Sequence, residues 1–228
     1  MSRLTLLGAG GANFSPLQIS GLKLWLRASD LALNNGDPVA SWADQSGVGN
    51  NVTQGTTANK PTFVTNQING LPVVRFDGTD DRLNAANSGY AQTNTIFVVA
   101  NVGANAGYKD MFSSTTGNEN ALYLDTAEVF RIFAGTELAG SGDVHGAFKL
   151  FCGIFAGSSS KLYINGTQNG STGNAGTGDS STFRLGDGPG ASTPLPGDIA
   201  EVLFYNASLT DAQRQQVEAY LNARYALY

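Results

Sequence analysis

The sequence predicts an all-β domain, a sandwich or a barrel, that ends in one α-helix. Three observations point there. Short apolar or alternating runs recur along the chain, separated by Gly, Asn, Ser and Asp turn residues. Glycine accounts for 29 of 228 residues, which suits many tight turns because glycine reaches positive φ at low cost. Only the last twenty or so residues show helical periodicity.

In chain order, residues 1–20 stand apart. "GAGGANFSP" reads as a flexible arm before the patterned region, either a disordered leader or a segment that orders on a partner through Leu4, Leu6, Leu7 and Phe14. The domain proper is expected over 21–228. "LKLWLRA" (22–28) alternates and reads as a strand with Trp25 toward the core. "PVVRFDG" (72–78) is a strand stopped by Asp-Gly, and "NTIFVVANV" (94–102) suits a strand buried on both faces. "KDMFSST", "NALYLDT" and "EVFRIFAG" follow as short strands over 109–135. "AFKLFCGIFAG" (147–157) and "SKLYINGTQNGS" (160–171) form a hairpin bending at "GSSS", and Asn165-Gly166 marks a second tight turn. "STFRLGDG" (181–188) and "GDIAEVLFYNASL" (197–209) supply the last strands. The helix runs over about 210–225. Thr210 is its N-cap, Gln213 completes a capping box, and Val217, Tyr220, Leu221 and Tyr225 make the apolar stripe.

Composition narrows the function. The net charge is −5, and the thirteen lysines and arginines are scattered singly. A nucleic-acid groove or an anionic membrane surface would need a basic cluster, so neither partner is expected. The apolar run "LTLL" is too short for an export signal and no stretch reaches membrane-spanning length, which predicts synthesis in a cytoplasm without an anchor. The single cysteine, Cys152, sits in the apolar run "KLFCGIFAG", and the single histidine, His145, in a Gly-rich turn. A buried thiol and a solvated imidazole are expected there, not a nucleophilic dyad.

The most charged stretch is "RFDGTDDR", with Asp77, Asp80 and Asp81 between Arg75 and Arg82. Three readings compete. As a turn, Asp77-Gly78 ends a strand, Thr79 and Asp80 bond local amides, and Arg75 or Arg82 balances the charge. As a calcium site, hard oxygen ligands gather in a Gly-rich loop, with Asp44 of "WADQSG" and Asn50 and Asn51 as further donors. As a catalytic pair, Asp80 and Asp81 are adjacent and lack suitable partners, which makes this the weakest reading.

Three segments together resemble the concanavalin A-like lectin/glucanase superfamily in its laminin-G-like (LamG) branch. They are "LKLWLRASDL" through "KPTF" (22–63), "INGLPVVRFDGTDDRL" (68–83), and "KLYINGTQNG" (161–170) followed by "PGDIAEVLFYNASLTDAQRQQVEAYLNARY" (196–225). The resemblance implies a jelly roll of two packed antiparallel sheets with a short C-terminal helix. It favours a fold role for "DGTDD", while calcium at the sandwich rim also occurs in such modules. Trp42 belongs to the fold signature and is also a candidate for stacking on a sugar; Tyr90, Tyr108 and Tyr123 are looser candidates.

The resembling glucanases carry an acid and a nucleophile as alternating carboxylates on one strand. Here the nearest run is "GDIAEVLF". Asp198 and Glu201 stand three apart, so strict alternation would place them on opposite faces. The chain is therefore expected not to be an enzyme. The architecture looks like that of tailed-bacteriophage virion proteins: capsid decorations, fibres or tail components. It implies a structural homo-oligomer docked through its arm to other virion proteins and touching host surface glycans. The alternatives are a calcium-dependent carbohydrate-binding module and, more remotely, a glycoside hydrolase.

Overall fold

The computed structural model describes residues 14–85, 89–104, 107–116 and 119–228. Its first strands are β1 (Leu22–Arg27), β2 (Ser41–Trp42), β3 (Val52–Thr53), β4 (Thr62–Ile68), β5 (Leu71–Asp77), β6 (Leu83–Ala85), β7 (Asn94–Val102) and β8 (Lys109–Ser113). Then come β9 (Ala121–Leu124), β10 (Phe130–Phe133), β11 (Glu137–Ala139), β12 (Phe148–Phe155), β13 (Lys161–Ile164), β14 (Thr167–Gln168), β15 (Phe183–Leu185) and β16 (Pro196–Tyr205). The helix α1 is Asp211–Tyr225.

Two antiparallel sheets pack face to face. The first has the order β14-β13-β12-β7-β16-β5-β4, with β1 also paired to β16, and the second β11-β10-β9-β8-β15-β6-β3-β2. The core between them is rich in phenylalanine, with Phe76, Phe112, Phe130, Phe151, Phe183 and Phe204 all buried. The two-sheet sandwich with one C-terminal helix is the expected architecture, and β7 is buried on both faces as its unbroken apolar run required. The reason is a second apolar layer. The outer face of the first sheet carries Phe97, Val99, Leu203 and Tyr205, and α1 covers it with Val217, Leu221 and Tyr225. Burying that outer face turns what alternation would leave half polar into a continuous hydrophobic strand.

Local signals act as their chemistry demands. Asn165 (φ 48°) and Gly166 (φ 76°) make the two-residue turn between β13 and β14. Thr210 caps α1, its hydroxyl accepting from the Gln213 amide while the Gln213 side chain reaches back to the Thr210 amide. Thr210→Ala should lose about 1 kcal/mol, a drop of roughly 2–4 °C in Tm; calorimetry checks it. The stripe on α1 also hides a charged pair: Arg214 and Glu218 are buried, bonded at 2.5 Å, with the Arg214 guanidinium 3.8 Å from the Tyr163 ring centre.

Besides the short strands β2, β3, β6 and β11, which the sequence reading does not place, the structure differs from it at three places. Strand β4 was not anticipated, because its second half, Thr65-Asn66-Gln67, is exposed and Asn66 has φ 59°, which breaks alternation and shifts the register with β5. Residues 14–20 do not extend as part of an arm. Phe14 packs on Tyr220 at 6.3 Å between ring centres, and Ile19 is buried in the layer under α1. Leu4, Leu6 and Leu7 lie outside the described residues. Third, Asp198 and Glu201 are not on opposite faces. The pairing of β16 with β7 slips between Ile199 and Glu201, so the extra residue restores Glu201 to the outer face, beside Trp25 and Tyr225.

Candidate functional site

The outward face of the second sheet holds a cleft of about 200 Å³. Alternation builds its floor. Leu122 and Leu124 of β9 point into the core, which turns Ala121 and Tyr123 outward. Phe130 and Ile132 of β10 do the same for Phe133. In β8 both Met111 and Phe112 are core residues, because the pairing with β9 slips between Asp110 and Phe112. That bulge presents Asp110 and Ser113 to the cleft together. Tyr108, 45% exposed, stands at the rim with its ring centre 5.7 Å from that of Tyr123, and the loop carrying Ser192 and Thr193 closes the opposite side.

Two carboxylates line the cleft in contrasting settings. Burial pushes the Asp110 carboxyl up to about 7; nearby Asp187 adds to this, while Thr193 and Arg184 offset part of it. For Glu119, burial also acts upward, but hydrogen bonds from Ser181, Thr116 and Ser114 outweigh it and hold the group below the usual carboxylate range. Glu119 accepts from the Ser181 amide at 3.0 Å and from the Ser181 and Thr116 hydroxyls. Behind Asp110, Asp187 accepts from the amides of Gly188 (2.8 Å) and Thr193 (3.0 Å). Arg184 is spent on Asn84 Oδ1 (2.8 Å) and the Gly188 carbonyl (2.6 Å). At the Tyr123 side, the phenol donates to Glu137 at 2.6 Å, and Arg131 is paired with both Asp125 and Glu137.

Asp110 makes stability pH-dependent with a definite sign. Unfolded, it titrates near 4; folded, at about 7. Between those values the folded chain keeps a proton that the unfolded chain has lost, so stability falls as pH rises through the window and levels off above it. The full cost from this group is about 4 kcal/mol. Asp110→Asn should flatten that slope, and urea unfolding at pH 5 and pH 8 reads it directly. A wild-type chain equally stable at both values contradicts the assignment.

The other sequence candidates fall elsewhere. Trp42 is fully buried between the sheets and cannot stack on a sugar. Tyr90 packs against Phe204 (5.6 Å) and Phe183 (5.9 Å), and its hydroxyl accepts from Asn50 at 3.1 Å, which ties it into the core edge. Asp44 does not join the other aspartates. Its oxygens accept from the amides of Trp25, Ser46, Gly49 and Asn50 and from the Ser46 hydroxyl, so they close the "DQSGVGN" loop on itself. Asn51 accepts from the Asp44 amide within the same loop.

Asp77, Asp80 and Asp81 do converge, with carboxylate oxygens within 4.8 Å of one another. Their bonds are those of a turn: Asp77 Oδ1 accepts from the amides of Thr79 (2.8 Å) and Asp80 (3.3 Å), and Asp81 Oδ2 from the Asp77 amide (3.0 Å). Gly78 (φ 77°) lies so close to Pro196 that a Cβ there would sit 2.7 Å from its side chain. Arg75 does not serve this corner; it makes a two-pronged bond to Asp198 at 2.7 and 2.8 Å. Glu201 is fully buried, Cys152 is buried, and His145 pairs with Asp143 at the surface.

Against known proteins, residues 76–213 match the laminin-G-type family model described as the concanavalin A-like lectin/glucanases superfamily. The chain belongs to that superfamily. No curated protein matches it. Among solved structures, it is similar to domain 4 of AbnA, a GH43 extracellular arabinanase from Geobacillus stearothermophilus in complex with arabinotriose. The TM-score is 0.63 at 15% identity, over 87% of this chain and 98% of that one. It is also similar to Trypanosoma rangeli sialidase (TM-score 0.61, 16% identity), where it aligns over 90% of its own length but spans only 33% of the sialidase chain. The Botulinum neurotoxin serotype D ligand binding domain, in complex with N-acetylneuraminic acid, aligns at TM-score 0.63 and 13% identity, over 90% of this chain and 52% of that one. At these identities the likeness is one of fold. Among the described residues no helix is long and apolar enough to cross a membrane.

Proposed function

We propose that this protein is a non-catalytic carbohydrate-binding sandwich whose ligand lies in the cleft beside Tyr108. The observation that carries the reading is the half-exposed Tyr108 ring at the rim of a concavity lined by hydroxyls and carboxylates. Aromatic faces pack against the C–H faces of sugars while polar groups take their hydroxyls, and few other ligands need both side by side. Carbohydrate complexes among its structural neighbours support it. A glycan array with the full chain tests it: binding above background is expected, and an array without hits defeats it.

An acid of raised pKa next to an ionised carboxylate is also the pattern of a glycosidase pair. Here the Glu119 oxygens already accept from Ser181 and Thr116, and Asp110 is 5% exposed, so neither is set to meet a glycosidic oxygen or a water. No reducing sugar should be released from any glycan that binds. Turnover abolished by Asp110→Asn would reverse this.

The finer setting is a tailed-bacteriophage particle, where the chain would be a capsid decoration, fibre or tail component held by residues preceding the sandwich and displaying the cleft toward a host surface glycan. The resemblance in the sequence supports it. Density-gradient fractionation of the native source should find the chain with large particles; recovery only as a free small protein defeats the particle reading and leaves the cleft untouched.

Calcium at the Asp77–Asp80–Asp81 corner is a second reading, favoured by the convergence of the three carboxylates. Burial, then the charges of Asp77 and Asp80, push the Asp81 carboxyl up to about 6. A hard dication would relieve that repulsion. Calcium should raise Tm in wild type and not in Asp81→Asn; identical melting with calcium and with a chelator defeats it.

A further inference from the structure

We propose that the cleft selects uncharged saccharides and rejects acidic ones; the inference rests on the carbohydrate reading above and adds the ligand's charge class. The lining carries two carboxylates, Asp110 and Glu119, and among the described residues no lysine, arginine or histidine.

Cations near the cleft are already committed; Lys109, between Tyr108 and Asp110 in sequence, is buried and paired with Glu128. Arg184 lies behind Asp110 and serves Asn84 and the Gly188 carbonyl. Arg131, at the Tyr123 side, is held by Asp125 and Glu137, so its surroundings are net negative. Recognition of a sialic acid or a uronic acid normally needs a guanidinium fork or amide donors free to meet the sugar carboxylate. None of the described lining residues supplies the fork, and an incoming carboxylate meets the negative charge of Glu119.

An ammonium sugar is not favoured in its place. The Glu119 oxygens already take the Ser181 amide and the Ser181 and Thr116 hydroxyls, and Asp110 is 5% exposed. The remaining polar lining, Ser113, Ser114, Ser192 and Thr193, is neutral.

The test is an array of neutral glycans printed beside their sialylated or uronic-acid counterparts, read with the full chain in low salt. The neutral member of each binding pair should be favoured by at least about 10-fold. Raising salt toward about 1 M, where the Debye length is about 3 Å, should narrow the gap. Ser192→Lys, at an exposed rim position, should raise binding of the acidic member relative to the neutral one by about 5-fold or more. Acidic members bound as well as neutral ones overturn the charge selection while leaving saccharide binding intact. An array with no hits defeats both readings together.

Discussion

Tyr108→Ala should weaken saccharide binding by roughly 30-fold and leave the fold unchanged. The ring is 45% exposed, and its one close aromatic neighbour, Tyr123, is held in place from the other side by Glu137. Truncation therefore removes a contact surface without opening a core cavity, and the stability change should stay within about 0.5 kcal/mol. An aromatic residue that stacks on the ligand is typically worth about 2 kcal/mol, roughly 30-fold in Kd. Tyr108→Phe should retain most of the affinity, because stacking uses the ring face. Titration calorimetry with whichever glycan the array identifies measures all three proteins. Equal affinity in wild type and Tyr108→Ala moves the site away from this cleft.

Glu201→Ala should have the largest effect on stability and none on binding. Glu201 is fully buried on the outer face of the first sheet, where Trp25 Nε1 donates to it at 2.6 Å, the Tyr225 hydroxyl at 2.8 Å and the Tyr220 hydroxyl at 3.1 Å, with Arg224 at 3.4 Å. It joins β1, β16 and α1 through one carboxylate. Burial raises its pKa, against the hydrogen bonds from Trp25 and Tyr225 and the charge of Arg224. Removing the acceptor strands buried donors and an arginine at once, at a cost of about 3–5 kcal/mol. For a chain of this length that is on the order of 10 °C in Tm. Glu201→Gln keeps an acceptor and should lose less. Because the cleft lies on the other sheet, glycan affinity of the folded fraction should be unaffected. A loss of affinity at unchanged Tm would revive a catalytic or binding role for this carboxylate.

Much of the architecture was legible as text. The unbroken apolar run at 94–102, the Asn165-Gly166 turn and the Thr210–Gln213 capping box are local signals, each read within ten residues, and each appears where the sequence placed it. The site was far less legible. Tyr108 was visible as a candidate, but Trp42 and Tyr90 looked equivalent to it, since an aromatic residue next to a loop has the same local signature whether it ends in the core or at a rim. Asp110 and Glu119 were not singled out. Neither carries a motif, and the bulge that turns Asp110 and Ser113 to one face depends on how β8 pairs with β9. The same limitation misplaced Glu201, where a one-residue slip against β7 inverted the parity that alternation assumes.

Secondary structure, the N-cap and the tight hairpin turn follow from short-range sterics and hydrogen bonding, which a chain writes into neighbouring residues. Which faces converge, which charges lose their water and which tyrosine stays exposed follow from pairings across up to 176 positions, as between Trp25 and Glu201. Burial and long-range register set those outcomes, and both exist only once the two sheets have closed on each other.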